Sequence, residues 1–99
     1  MGNINTSIGA YSQQTTVSNT VLSLVDFGFT DAEILNSSSC TISVNTNSVR
    51  LDWSGNAPTV SVGAKVTGIF SLQGNENLYQ LQLIRDGATD SEVFIVLES

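Results

Sequence analysis

Apolar residues recur at every second position over short stretches from Val17 to the C-terminus, and the polar residues between them are mostly Ser, Thr, Asn and Gln. A period of two is the signature of strands with one buried face. The first run, VSNTVLSLV over residues 17–25, reads as a strand rich in β-branched residues. Gly28 then marks a turn within Asp26–Thr30. Thr30-Asp31-Ala32-Glu33 has the hydroxyl and the carboxylate of a capping box, followed only by Ile34 and Leu35 before Asn36-Ser37-Ser38-Ser39. That spacing predicts one helical turn. Cys40–Val44 and Ser48–Trp53 read as two strands of a hairpin joined by Asn45-Thr46-Asn47, since Asn tolerates positive φ. Val49, Leu51 and Trp53 share one face of the second strand, and Arg50 and Asp52 share the other.

Residues 54–63, SGNAPTVSVG, read as a loop because Gly55, Asn56 and Pro58 interrupt any ladder. Val66–Gln73 is a further strand with a candidate bulge at Gly68. Gly74–Asn77 is a turn, and Leu78–Ile84 a strand with Leu81 and Leu83 on one face. Arg85–Asp90 is the last turn, and Glu92–Glu98 closes the chain as a nearly continuous apolar strand. The expectation is an all-β fold: a small antiparallel β-sandwich or jelly-roll-like barrel of six to seven strands, with at most one short helical turn. Residues 17–99 form its single domain. Residues 1–16, MGNINTSIGAYSQQTT, read as a polar N-terminal arm whose only apolar anchors are Ile4, Ile8 and Tyr11. An arm of this kind can order on a neighbouring subunit.

Charge narrows the function. The chain of 99 residues has nine carboxylates, three basic residues (Arg50, Lys65 and Arg85) and a net charge of −6. No basic stripe exists to neutralise phosphates, which disfavours nucleic acid and an anionic membrane as partners. There is no histidine, so the commonest general base and zinc ligand are missing. Cys40, the one cysteine, sits in an alternating run and reads as a core residue, since a nucleophile would need a base beside it. The sequence therefore predicts a protein that is not an enzyme and holds no cofactor.

Three weaker signals have simpler readings. Asp86 and Asp90 flank Gly87 and could serve calcium, although Asp-Gly turns ordinarily cap backbone amides. Met1–Thr6 fits an acylation pattern, and Asn5-Thr6-Ser7 and Asn36-Ser37-Ser38 fit glycosylation sequons, but such short patterns are expected by chance in a chain this rich in Asn and Ser. Trp53 and Tyr79 could stack on a sugar ring if exposed, but the parity of Trp53 with Val49 and Leu51 favours packing.

The stretch from Ile42 to Val96 resembles a family of small tailed-bacteriophage virion proteins. The likeness is carried by Ile42-Ser43-Val44, by Ser48-Val49-Arg50-Leu51-Asp52-Trp53-Ser54-Gly55-Asn56-Ala57-Pro58-Thr59, by Ser61-Val62-Gly63 and by Leu81-Gln82-Leu83-Ile84-Arg85-Asp86-Gly87-Ala88-Thr89-Asp90. It lapses at Ala64-Lys65-Val66. The resemblance implies a β-sandwich structural protein without catalytic residues, assembled into a virion in the bacterial host cytoplasm. Its leading form is a homotrimeric capsid decoration or cement protein bound to the major capsid protein on the outside of the head. A head–tail connector or tail-surface component remains an alternative, as does a stand-alone carbohydrate-binding β-sandwich. The expected assembly contacts are Ile4, Ile8 and Tyr11 in the arm, and Gly55, Pro58, Thr59 and Gly63 in the loop, whose restricted backbone would lose little entropy on docking. Arg85 is expected to pair with Asp86 or Asp90 and fix the last turn.

Overall fold

A computed structural model describes residues 10–99, which form β1 (Ala10–Val17), β2 (Leu22–Ser23), α1 (Leu24–Phe27), α2 (Asp31–Leu35), β3 (Ser39–Asp52), β4 (Ala64–Gln73), α3 (Asn75–Gln80), β5 (Gln82–Arg85) and β6 (Ser91–Glu98). The six strands make one antiparallel sheet in the order β1-β6-β3-β5-β2, with β4 on the remaining side of β3. The all-β class is therefore the observed one, built as a single curled sheet.

β3 makes the curl possible. Its first half, Ser39–Val44, lies between β6 and β4, and its second half, Val49–Asp52, between β5 and β4. Buried positions are even in the first half (Cys40, Ile42, Val44) and odd in the second (Val49, Leu51). Between the pairs Val44↔Gly68 and Val49↔Val66, four residues of β3 oppose one of β4. Three extra residues is an odd number, so the inward face switches parity and stays on the core. Asn47, at φ 59, accommodates the bend, and its Nδ2 donates to the Asp90 carbonyl at 2.8 Å. The hairpin expected at Asn45–Asn47 is thus a wide bulge in one continuous strand. Asn tolerance of positive φ serves a bulge as well as a reversal, and local sequence does not distinguish the two.

Three short helices close the core, where one turn was expected. α2 is that turn: Thr30 Oγ1 accepts from Glu33 N at 3.1 Å, and Glu33 Oε1 accepts from Thr30 N at 3.0 Å. α1 replaces the end of the strand expected over 17–25. Ser23 and Asp26 form a second capping box, and Gly28, at φ 122, ends the helix by donating to the Leu24 and Val25 carbonyls. α3 replaces the first half of the strand expected over Leu78–Ile84. Leu78 and Leu81 are both buried and three residues apart, a helical spacing, and alternation resumes only at Leu83. Asn75 Nδ2 ties α3 to the end of α2 by donating to the Ile34 and Ser37 carbonyls at 2.8 and 2.9 Å.

Leu24, Phe27, Phe29, Ile34, Leu78 and Leu81 cover the concave face, where they join Ile42, Leu51, Leu83, Ile95 and Leu97 in one core. Each such side chain contributes about 1.5–3 kcal/mol by leaving water. Cys40 lies among them, 1 % exposed, as expected of a core cysteine. Burial pushes its thiol up to about 11.

The boundary expected at residue 16 differs in the structure. Ala10–Val17 pairs along its whole length with β6, from Ala10↔Glu98 to Val17↔Ser91. Tyr11 packs half-buried against the core within its own chain. Periodicity hid this strand: Ser12, Gln13, Gln14 and Thr16 are exposed, and only Tyr11 and Val17 carry an apolar signal. Ile4 and Ile8 lie outside the described residues, as do the acylation pattern and the Asn5 sequon.

Candidate functional site

Residues 48–63 and 81–90 meet in a network of hydrogen bonds. Asp86 lies at their junction. Its Oδ1 accepts from Arg50 Nε at 2.8 Å, its Oδ2 from Ser48 Oγ at 2.9 Å, and Lys65 Nζ stands 3.4 Å from Oδ2. The Asp86 backbone N–H donates to the Ser48 carbonyl at 3.0 Å. The Ser48 hydroxyl, and after it the Arg50 guanidinium, holds the Asp86 carboxyl below the usual carboxylate range.

This cluster fastens the loop of residues 54–63. Arg50 Nη1 donates to the Gly63 carbonyl at 3.0 Å, and Gly87 N to the Val60 carbonyl at 2.8 Å. Thr59 and Val62 exchange backbone hydrogen bonds of 2.9 and 3.2 Å, which closes a tight turn. Pro58 is buried, and Gly63 comes so close to the sheet that a Cβ there would stand 2.9 Å from the Leu51 carbonyl oxygen. Gly63 also has φ 126, so glycine answers both a steric and a conformational demand. Of the loop residues expected to make assembly contacts, Pro58 and Gly63 therefore hold the loop down. Gly55 and Thr59 face solvent, as does Val62, 61 % exposed.

The last turn is fixed by Arg85 and Asp90, whose Nη1 and Oδ1 are 2.6 Å apart. Asp86 instead pairs across the sheet. The two carboxylates considered for calcium are thus each engaged by a different arginine, and among the described residues no three Cys, Asp or Glu side chains come together as a metal site would need. Asn36, the acceptor of the second sequon, is exposed at the C-terminal cap of α2.

Trp53 packs at the margin of the core and not in its centre. Its ring lies 5.3 Å from that of Phe70, tilted by 36°. Leu51, Asp52, Trp53, Ser54 and Ala64 line a shallow hollow beside it. Asp52 accepts from both the backbone N–H and the hydroxyl of Ser54 at 2.8 Å, and these bonds hold its carboxyl below the usual range. Tyr79 is exposed on α3, so the aromatic partner of Trp53 is Phe70.

The free edge of the sheet lies nearby. Among the described residues β4 pairs only with β3 and so presents a second backbone edge without a partner over ten residues. Ile69, on its outward face, is 74 % exposed, the most exposed of the large apolar side chains described. Sequence reading did not single out Ile69, Phe70 or the Arg50–Asp86 pair. A signal for Ile69 was present, because it is the one large apolar residue among the odd-numbered, outward positions of β4. No protein-family model matches this chain, and neither a curated protein nor a solved structure matches it.

Proposed function

We propose that this protein is a non-catalytic structural subunit of a bacteriophage virion, a capsid decoration protein that binds the major capsid protein on the outside of the head. One observation carries the reading. The stretches Ser48–Gly63 and Leu81–Asp90, which bear the virion-like sequence, fold into one hydrogen-bonded unit around Asp86 that presents a fixed loop to solvent. A loop ordered before binding loses little conformational entropy on docking. Its exposed part, Gly55, Thr59 and Val62, is uncharged, and Val62 offers an apolar side chain to an acceptor surface. The charged groups around it are occupied with one another, as befits a scaffold.

Quantitative mass spectrometry of purified particles tests the reading. A decoration protein is present in many copies per particle, and recombinant protein added to particles lacking it sediments with them. Val62→Asp should weaken that co-sedimentation while leaving the circular dichroism spectrum unchanged. Absence from purified particles would refute the virion reading, and a copy number matching a single ring would move the protein to a connector. The hollow beside Trp53 favours a second reading, a carbohydrate-binding module, in which the indole and the Asp52 carboxylate would face a sugar. Glycan binding by the isolated protein, abolished by Trp53→Ala, would select it.

A further inference from the structure

The free edge of β4 is nearly palindromic. Residues 65–73 read Lys-Val-Thr-Gly-Ile-Phe-Ser-Leu-Gln. About Ile69, a long polar residue answers a long polar residue (Lys65 and Gln73), an aliphatic answers an aliphatic (Val66 and Leu72), and a hydroxyl answers a hydroxyl (Thr67 and Ser71). Gly68 answers Phe70. From this symmetry and the open edge, we infer that β4 pairs antiparallel with β4 of a second copy around a two-fold axis at Ile69.

Geometry permits this register. In an antiparallel pair, directly opposite residues lie on the same face of the sheet. Residues equally far before and after Ile69 then face each other, which keeps even positions opposite even and odd opposite odd. Buried Val66 and Leu72 then remain on the concave side of both copies, and Ile69 meets Ile69 on the outer side. A register shifted by one residue would set buried positions against exposed ones. Gly68 has nothing within 4 Å of where a Cβ would stand, which leaves open space opposite Phe70 of the second copy. An aromatic ring laid over a strand glycine is a recognised way of shielding it.

Charge agrees with a second copy as the occupant. The chain carries −6, yet Ala64–Gln73 contains no carboxylate. Two copies can meet there without opposing their acidic groups, and the single cation, Lys65, falls opposite neutral Gln73. A strongly charged segment from another protein would find little complement along this edge. On β1, Gln13 Nε2 and Thr15 Oγ1 donate to the Gly28 and Phe27 carbonyls at 3.4 Å, which brings the turn after α1 against the inward side chains of that strand. The self-complementary edge yields a closed, isologous dimer.

Purified protein, without any particle, tests the inference separately from the virion reading. Sedimentation equilibrium should give twice the monomer mass, and Ile69→Lys should give the monomer mass with an unchanged circular dichroism spectrum, because that side chain is already exposed. Register is read by oxidative cross-linking. Ile69→Cys should form a disulfide between copies, since opposite residues place their Cα atoms about 4.5–5.5 Å apart. Lys65→Cys should not cross-link to itself, because eight residues of strand separate the two sites by roughly 26 Å. A mixture of the Lys65→Cys and Gln73→Cys proteins should cross-link. A monomer at all concentrations would overturn the inference. So would a dimer that Ile69→Lys leaves intact, or a trimer or filament cross-linked between β4 and β1.

Discussion

Deleting one residue from the β3 bulge should damage the fold more than deleting two. In the native strand, three extra residues opposite β4 carry the core face from even to odd positions. Removing Asn45 leaves two extra residues. Val49 and Leu51, now 0 % and 1 % exposed, would then turn outward, and Arg50 and Asp52 would turn toward the core. Losing the burial of Val49 and Leu51 costs about 1.5–3 kcal/mol each, so about 3–6 kcal/mol together, before any charge is desolvated. That is a large part of the 5–15 kcal/mol or so that stabilises a typical domain. Removing Asn45 and Thr46 leaves one extra residue, an ordinary bulge that preserves the parity switch. The double deletion also loses the bond that Thr46 Oγ1 accepts from Glu92 N at 3.0 Å, worth about 0.5–1.5 kcal/mol. Urea unfolding followed by Trp53 fluorescence should therefore rank wild type first, the double deletion second and the single deletion last. A gap of at least about 1.5 kcal/mol should separate the two deletions. If the single deletion proves as stable as the double one, parity does not hold the second half of β3 in place.

Further expectations concern Asp86, Cys40 and β1. The Asp86 carboxyl has its folded pKa lowered, so its stabilisation is present above the ordinary carboxylate pKa of about 3.9 and is lost as pH falls from there toward the lowered folded value. The thermal midpoint of the wild type should accordingly drop more steeply on acidification than that of Asp86→Asn, and parallel curves would show that the cluster contributes nothing. Cys40→Ser should cost about 1–3 kcal/mol by placing a hydroxyl among apolar groups, with each kcal/mol lowering the melting midpoint by about 4–8 °C. The native thiol, raised to about 11, should resist iodoacetamide until the protein unfolds, and rapid labelling of folded protein would contradict its burial. Deleting residues 2–16 should destabilise the domain, because it strips nearly all of β1 from β6. A truncated protein with an unchanged melt would show that β1 adds no stability.

The amino-acid sequence by itself determined the class of fold and most of the inward-facing side chains. Alternation in Cys40–Val44, in Val49–Leu51 and from Val93 to Leu97 places those apolar residues on one face whatever the strands pair with, since side chains on a strand alternate by geometry. The Thr30–Glu33 capping box is legible for a similar reason: its partners are three residues apart, and both of its hydrogen bonds are local. Tertiary structure alone decided the rest. Whether Asn45–Asn47 reverses the chain or bulges within it depends on which strands lie on either side, and that pairing is non-local. The polar strand β1 is held by a ladder to β6, 74 to 88 residues further along, as the pairs Val17↔Ser91 and Ala10↔Glu98 show, and backbone hydrogen bonds leave no mark in side-chain pattern. Asp86 could be recognised as a turn residue, but its partnership with Arg50 spans 36 positions and exists only because β3 and the turn after β5 lie together. The open edge of β4 is likewise a property of the assembled sheet: a strand's own sequence specifies its faces, and only its neighbours determine which of its edges remains unpaired.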